Sequence, residues 1–299
     1  MELLILLGLG LTAGTFALLD DDDDSGNSEE GNTDERQGSS NPEPEHYESN
    51  EAATITATDA ANDIIGGSQD QSIFLRGGDD LAEGRGGDDR IFGMDGDDFL
   101  TGGSGDDFLR GGSGNDLLVD GSGSDTLHGD SGNDLIVATS TFDGEGLAGF
   151  YRGVAEGSIT DPASINEHYT PATDTDTGAD SVSGGGGNDS VIAGEGDTVS
   201  LGSGNDMLAV GDWHQSDDDP VFVTDFDPTE DVLVYSHDGE GTMPDLFVMH
   251  LEDGTGGGQG SALLFADNAL VARMPGAGGL LSVSDISIVE RTAESSLLS

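Results

Sequence analysis

The stretch GGSGDDFLR GGSGNDLLV, residues 102–119, is two copies of one nonapeptide, G-G-x-G-x-D-x-U-x, in which U is an aliphatic residue. Stepping outward from it by nine gives seven aspartates in an unbroken frame: Asp80, Asp89, Asp98, Asp107, Asp116, Asp125 and Asp134. Two residues before them stand Gly78, Gly87, Gly96, Gly105, Gly114, Gly123 and Gly132. Two residues after them stand Ala82, Ile91, Leu100, Leu109, Leu118, Leu127 and Ile136. A frayed second tract follows, with GADSVS around Asp180, GGGGNDSVI around Asp189, GEGDTVS around Asp197 and LGSGNDMLA around Asp206. The step from Asp189 to Asp197 is one residue short, and an outlying copy, AANDIIG around Asp63, lies 17 residues before Asp80. Self-similarity at a fixed short period marks a solenoid.

The unit has a physical reading. Six glycine-rich residues make a tight turn through backbone conformations closed to residues with a Cβ. The remaining x-U-x is a short strand with U pointing inward. Two nonapeptides close one 18-residue coil, and stacked coils form two parallel sheets around one aliphatic column from each side. So thin a core and such short strands need a further support. The Asp carboxylates and backbone carbonyls of successive turns converge into an all-oxygen cage with room for six or more ligands. That is calcium chemistry; magnesium prefers an octahedron and keeps its waters, and zinc prefers His or Cys.

At residues 75–137 and 178–210 the sequence resembles the RTX (repeats-in-toxin) family, whose nonapeptides form a calcium-bound parallel β-roll. The resemblance implies ions between turns two repeats apart. One edge links Asp80, Asp98, Asp116 and Asp134, the other Asp89, Asp107 and Asp125, and the second tract adds Asp180 with Asp197 and Asp189 with Asp206. That is about five to seven calcium ions. It also implies a roll that folds only when calcium binds, with affinity near ~10⁻⁴ to 10⁻³ M as in extracellular modules, in a bacterial protein exported unfolded by a secretion system. Proteins of this kind carry a C-terminal export signal, for which RTAESSLLS (291–299) is the candidate.

Composition agrees. Against 61 acidic residues stand 8 basic ones, all Arg, for a net charge of −53, and Gly supplies 50 of the 299 residues. Such a polyanion is repelled by nucleic acid and by anionic lipid, which bind Lys and Arg; its counterion is a cation. With no cysteine, disulfides, thiolate chemistry and Cys-built metal sites are excluded.

The chain divides into segments. Leu3 to Leu19 is free of charge, long enough at the lower limit to span a bilayer, and closed by Asp20 to Asp24. Residues 1–19 are therefore read as a hydrophobic helix, a signal peptide or a membrane anchor, and as the chain's one link to a membrane. No positive charge follows it to hold the body in the cytoplasm, so the protein is expected at the cell surface or outside the cell, or anchored in the inner membrane facing the periplasm. Residues 20–53, with 13 acidic residues and one Arg, read as a disordered acidic linker. The roll then occupies 54–137, an insert loop 138–177, and the second tract 178–210.

Residues 211–290 read as a small antiparallel β cap domain, followed by a tail at 291–299. Its apolar runs are Val221 to Thr224, Val232 to Tyr235, Leu246 to His250, Ala262 to Phe265, Ala269 to Ala272 and Ile286 to Val289. The phrases VTDFDPTEDVLVY, LVARMPG and SVSDISIV are similar to the region that closes the roll in bacterial RTX calcium-binding proteins, and Trp213 lies at the junction as a capping aromatic.

The outward positions of the two sheets differ. One face carries Leu81, Phe99, Leu117, Leu135, Val119 and Val137, the other Arg90, Phe108, Thr126, Phe92, Arg110 and His128. An apolar stripe of that extent is expected to be covered, by the insert or by the C-terminal region. The insert groups Phe150, Tyr151, His168 and Tyr169 and is read as a surface excursion rather than a ligand-recognition loop.

No H-E-x-x-H, G-x-S-x-G or P-loop lysine is present, and HGDSGND (128–134) resembles a serine-protease motif only superficially, since it lies in the repeat register, where Asp130 and Ser131 are turn residues. The sequence therefore reads as an all-β, non-catalytic calcium-binding protein. The alternative is an adhesin or secreted enzyme in which the roll is a scaffold and the insert or cap recognises a protein or glycan.

Overall fold

The computed structural model describes residues 45–48, 54–140, 176, 178–212, 219–237, 243–252 and 260–290. Residues 1–19, most of the linker, almost all of the insert with its four aromatic residues, Trp213 and the tail lie outside the described residues.

The first tract and the chain before it form β1 (Glu45–Glu48), β2 (Thr54–Thr56), β3 (Asn62–Ile65), β4 (Ser72–Gly77), β5 (Leu81–Gly86), β6 (Arg90–Asp95), β7 (Phe99–Ser104), β8 (Phe108–Ser113), β9 (Leu117–Ser122), β10 (Thr126–Ser131) and β11 (Leu135–Ala138). The second tract forms β12 (Ser181–Gly186), β13 (Ser190–Ala193), β14 (Thr198–Ser203) and β15 (Met207–Gly211). The C-terminal region adds β16 (Val221–Val223), β17 (Val232–His237), β18 (Leu246–Leu251), β19 (Ser261–Ala266), β20 (Ala269–Pro275) and β21 (Ile286–Glu290).

Odd and even strands segregate through the repeats, as an 18-residue coil requires. One sheet runs β1-β3-β5-β7-β9-β11-β13-β15-β17-β21, and the other runs from β2 through β4 to β16 in even steps and then β20-β19-β18. Within the tract the register steps by 18, Leu100 facing Leu118 and Leu109 facing Leu127, all pairs parallel. The aliphatic column is the core: Ala82, Ile91, Leu100, Leu109, Leu118, Leu127 and Ile136 are each 0% exposed. Full strands here have six residues rather than three, because the residues after x-U-x keep pairing with the next coil, Gly112 with Asp130 and Ser113 with Ser131 in β8.

The structure changes four expectations. The two tracts are one continuous solenoid: β10 pairs with β12 and β11 with β13 across the insert, Leu127 facing Val182 and Ile136 facing Val191. The short repeat is absorbed by trimming β13 to four residues and closing a turn through Gly196 at φ +85°. At the other end the first sheet begins inside the stretch expected to be disordered, where β1 adds parallel to β3. The open edge of the first coil offers unpaired backbone groups, and strand addition satisfies them.

The fourth change concerns the C-terminal region. Its six strands stand where the apolar runs placed them, but only β18, β19 and β20 pair antiparallel. β16 continues in parallel from β14, β17 from β15, and β21 from β17. Short apolar runs look the same in either orientation, so the roll's open end decided the pairing. One contiguous core follows, from Ile55 through the repeat column to Phe226, Tyr235, Leu264, Met274 and Ile286.

The outer faces differ as their side chains require. On the odd sheet Leu81, Phe99, Leu117, Val119, Leu135 and Val137 are all buried, Phe99 at 1% exposure. On the even sheet Phe108 is only half-buried, in a row where Phe74 stacks on Phe92 at 5.0 Å, Phe92 meets Phe108 at 5.5 Å, and Phe108 meets His128 at 5.5 Å.

Two outcomes follow. Phe99→Ala should cost about 3–5 kcal/mol in denaturant unfolding, and Phe108→Ala distinctly less. Gly114→Ala places a residue with a Cβ at φ +136° and sets that Cβ against the Gly96 carbonyl one coil below. It should cost at least about 1–3 kcal/mol, while Ser113→Ala, at the exposed neighbour, should be near neutral.

Candidate metal centre

Each turn is built from glycine and aspartate acting together. The column Gly78, Gly87, Gly96, Gly105, Gly114, Gly123 and Gly132 has φ between +101° and +144° throughout, which lets the chain reverse in so few residues. The carbonyls of this column stack along the turn, those of Gly78, Gly96 and Gly114 lying against Gly96, Gly114 and Gly132.

Onto this backbone the repeat aspartates hang a ladder. Oδ1 of each accepts the amide N–H of the corresponding residue one coil earlier. On one edge Asp80 N–H reaches Asp98 at 2.9 Å, Asp98 reaches Asp116 at 2.9 Å, and Asp116 reaches Asp134 at 2.8 Å. On the other edge Asp89 reaches Asp107 and Asp107 reaches Asp125, both at 2.7 Å. The ladder bridges the insert without a gap, Asp125 to Asp180 at 2.7 Å and Asp134 to Asp189 at 2.9 Å. It then runs on from Asp180 to Asp197 at 3.0 Å and from Asp189 to Asp206 at 2.8 Å.

The second oxygen decides the chemistry. Oδ2 of Asp80, Asp89, Asp98, Asp107, Asp116, Asp125, Asp134, Asp189 and Asp206 is buried with no hydrogen-bond partner. Around it the lining is oxygen and glycine. Gly93, Gly102 and Gly111 lie directly against Oδ2 of Asp98, Asp107 and Asp116, and the carbonyl of Gly111 lies beside Gly93, so a Cβ there would fill the cradle. A row of anionic oxygens with carbonyls beside them and no N–H donor suits a hard divalent cation of calcium's class. Asp197 differs, because its Oδ2 accepts the Gly194 N–H at 2.6 Å.

Burial dominates the electrostatics. Loss of water raises the carboxyls of Asp80, Asp98, Asp107 and Asp134 from the ordinary 3.8 to about 8, against a lowering by the amide each accepts. Asp116 and Asp125 rise to about 7, and Asp89 and Asp189 to about 6, for the same first reason.

All eleven repeat aspartates thus stand on the two turn edges, and the glycine column supplies conformation and carbonyls rather than side chains. Several members escaped the sequence reading. Asn62 and Gln71 donate their amides to Asp80 and Asp89 at 2.6 Å each and occupy the aspartate position of two earlier repeats, so the frame extends through Asn62 rather than slipping at Asp63. Asp231 accepts the Asp206 N–H at 3.1 Å and the Asp227 N–H at 2.8 Å, which ends the ladder with both oxygens satisfied. A second ladder runs the other way through the residue before each aspartate: Asp97 N–H donates to Asp79 at 3.0 Å, Asn115 to Asp97 at 2.6 Å, and Asn133 to Asn115 at 3.0 Å. Its signal was visible as Asp or Asn recurring at that position.

These shifts have a sign. A carboxyl at 3.8 in the unfolded chain and at about 6 to 8 in the roll holds its proton more tightly when folded. The ion-free roll is therefore favoured below pH 4 and loses that contribution as pH rises through 6 to 8. In chelator, circular dichroism should show more β structure at pH 5 than at pH 8. Order that rises with pH would contradict this assignment.

Residues 74–109, 83–118, 101–136, 110–143 and 174–208 match the profile of the RTX calcium-binding nonapeptide repeat (4 copies). No curated protein is significantly similar to the chain in sequence. Among solved structures, the extracellular lipase LipA from Serratia marcescens matches 79% of this chain and 40% of its own length, at 13% identity and a TM-score of 0.22. The solenoid, its aspartate ladder and the profile agree that the turns within residues 74–143 and 174–208 are RTX calcium-binding nonapeptide repeats.

Proposed function

We propose that this chain is an exported, non-catalytic protein that folds when calcium binds between successive turns of its roll. The ligands would be the carboxylates of Asp80, Asp89, Asp98, Asp107, Asp116, Asp125, Asp134, Asp180, Asp189, Asp197 and Asp206, with carbonyls of the glycine-rich turns, those of Gly78, Gly87, Gly96, Gly105, Gly114, Gly123 and Gly132 among them. The observation that carries the reading is the row of buried Oδ2 atoms without partners. A bound calcium ion supplies the positive charge that these oxygens lack. Because the ladder is continuous, Asp125 with Asp180 and Asp134 with Asp189 form further interfaces beyond those counted from the sequence.

Export is supported by the same physics. Without the ion, a net charge of −53 and the glycine-rich turns favour the open chain, so calcium concentration would separate the compartment of synthesis from the compartment of folding. Residues 1–19 and 291–299 are the segments that would direct passage or attachment. No helix among the described residues is long and apolar enough to cross a membrane.

Calcium titration of the full chain should give a cooperative rise in β structure that the same concentration of magnesium does not produce. Loss of groups that merely support a metal ligand costs about 10- to 100-fold in affinity. Asp107→Asn should therefore raise the calcium midpoint by about tenfold or more, while Asp106→Asn, which keeps an acceptor for Ser124 N–H, should move it little. A chain equally folded in chelator at pH 9, where these carboxyls no longer hold protons, would refute the proposal.

A further inference from the structure

One groove lies on the outer face of the even sheet, apart from the aspartate ladders. Met94, Gly112 and Asp130 stand side by side on β6, β8 and β10. The side chains of Met94 and Asp130, with the bare backbone of Gly112 between them, line a groove of about 390 Å³ to which Phe92, Arg110, Ser113 and Ser131 also contribute. Small-molecule sites commonly measure ~300–1,000 Å³. Met94 has φ +83° and Asp130 φ +74°, at the second position of the nonapeptide, where other copies carry Gly103, Gly112 and Gly121. Of the four non-glycine residues at positive φ in the described nonapeptides, Arg76, Met94 and Asp130 share this one row. A side chain in that conformation is disfavoured relative to glycine, and residues so held gather at ligand sites.

We propose that this groove binds a neutral saccharide, a sugar unit of a longer glycan, and so places recognition on the roll itself rather than on the insert or the cap. The lining selects the ligand by charge and by shape. Arg110 Nε donates to Asp130 Oδ2, so the groove carries one cation and one anion, paired and together neutral. A free anion is repelled by a chain of net charge −53, and a cation finds Asp130 already engaged. What remains is an uncharged ligand that can use donors and acceptors side by side. The Arg110 side chain is 52% exposed, which leaves guanidinium N–H groups for a ligand beside the carboxylate oxygens of Asp130. A hydroxyl both gives and accepts a hydrogen bond, so neighbouring hydroxyls of a sugar match this pair and the exposed Ser113 and Ser131 hydroxyls. The C–H face of the sugar ring needs apolar surface in the same groove. Phe92, held by stacking on Phe74 at 5.0 Å, and Met94, 41% exposed, supply it.

The fluorescently labelled full chain at saturating calcium tests this on an array of neutral hexose, pentose and N-acetylhexosamine oligosaccharides beside uronate-containing ones. Binding to at least one neutral structure is expected. Asp130→Gly removes the acceptor and should raise the binding midpoint about tenfold, and Met94→Gly should raise it as well. Both variants restore the residue that other copies carry, so their thermal unfolding in calcium should match or exceed that of the parent. Thr198→Ala, exposed on the same sheet in β14, should bind as the parent does. Binding to no neutral glycan, or to uronate glycans alone, would overturn the proposal while leaving calcium-driven folding intact. Binding that both glycine variants keep in full would overturn it too. Loss of β structure together with binding in both glycine variants would assign Met94 and Asp130 to the fold and overturn their role in the groove.

Discussion

A buried carboxylate oxygen with no donor in reach is costly, and this roll repeats it along both edges. Leaving a polar group unsatisfied costs ~1–3 kcal/mol, and more when it is charged. Nine such atoms in described turns amount to as much as, or more than, the ~5–15 kcal/mol by which a domain is ordinarily stable. The aliphatic column cannot offset this, since each nonapeptide contributes one inward side chain, and at repeat positions as small as Ala82. Something positive, proton or metal ion, has to enter the turns, and above the pH range of about 6 to 8 in which these carboxyls release their protons only the ion remains. The glycine cradle, the parallel sheets and the order of the coils all presuppose that occupancy.

The period of nine made most of this legible. It placed the core column, the left-handed glycines and the aspartate edges, because each of those features needs one residue type at one position. It could not show that Asp125 meets Asp180 and Asp134 meets Asp189, since a separation of 55 residues looks like an interruption although the coil geometry is unbroken. Asn62 and Gln71 were hidden by chemistry: an amide replaces the carboxylate, and the backbone N–H that they donate carries no sequence signal. The C-terminal strands were found but not their orientation, because β16, β17 and β21 were captured by the open edges of a parallel stack.

The two ladders give the roll a polarity. Inner aspartates receive amides from the coil before them, and outer Asp or Asn side chains receive amides from the coil after them, as Asn115 does to Asp97. Each turn is therefore fixed from both sides, and a lost coil would expose amides as well as carboxylates. The C-terminal end resolves the problem by using Asp225, whose oxygens accept Leu201 N–H at 2.8 Å, Gly202 N–H at 3.1 Å and Ser200 Oγ–H at 2.7 Å. There the carboxylate is satisfied by the protein alone, and the β18–β20 meander covers the edge.

The most direct test is a crystal structure of the calcium-loaded chain with anomalous diffraction recorded at long wavelength. The account predicts peaks about 2.3–2.6 Å from Oδ2 of Asp98, Asp107 and Asp116, while Oδ1 of each keeps the amide of the coil before it. Water alone beside those oxygens, at calcium concentrations that saturate folding, would contradict it.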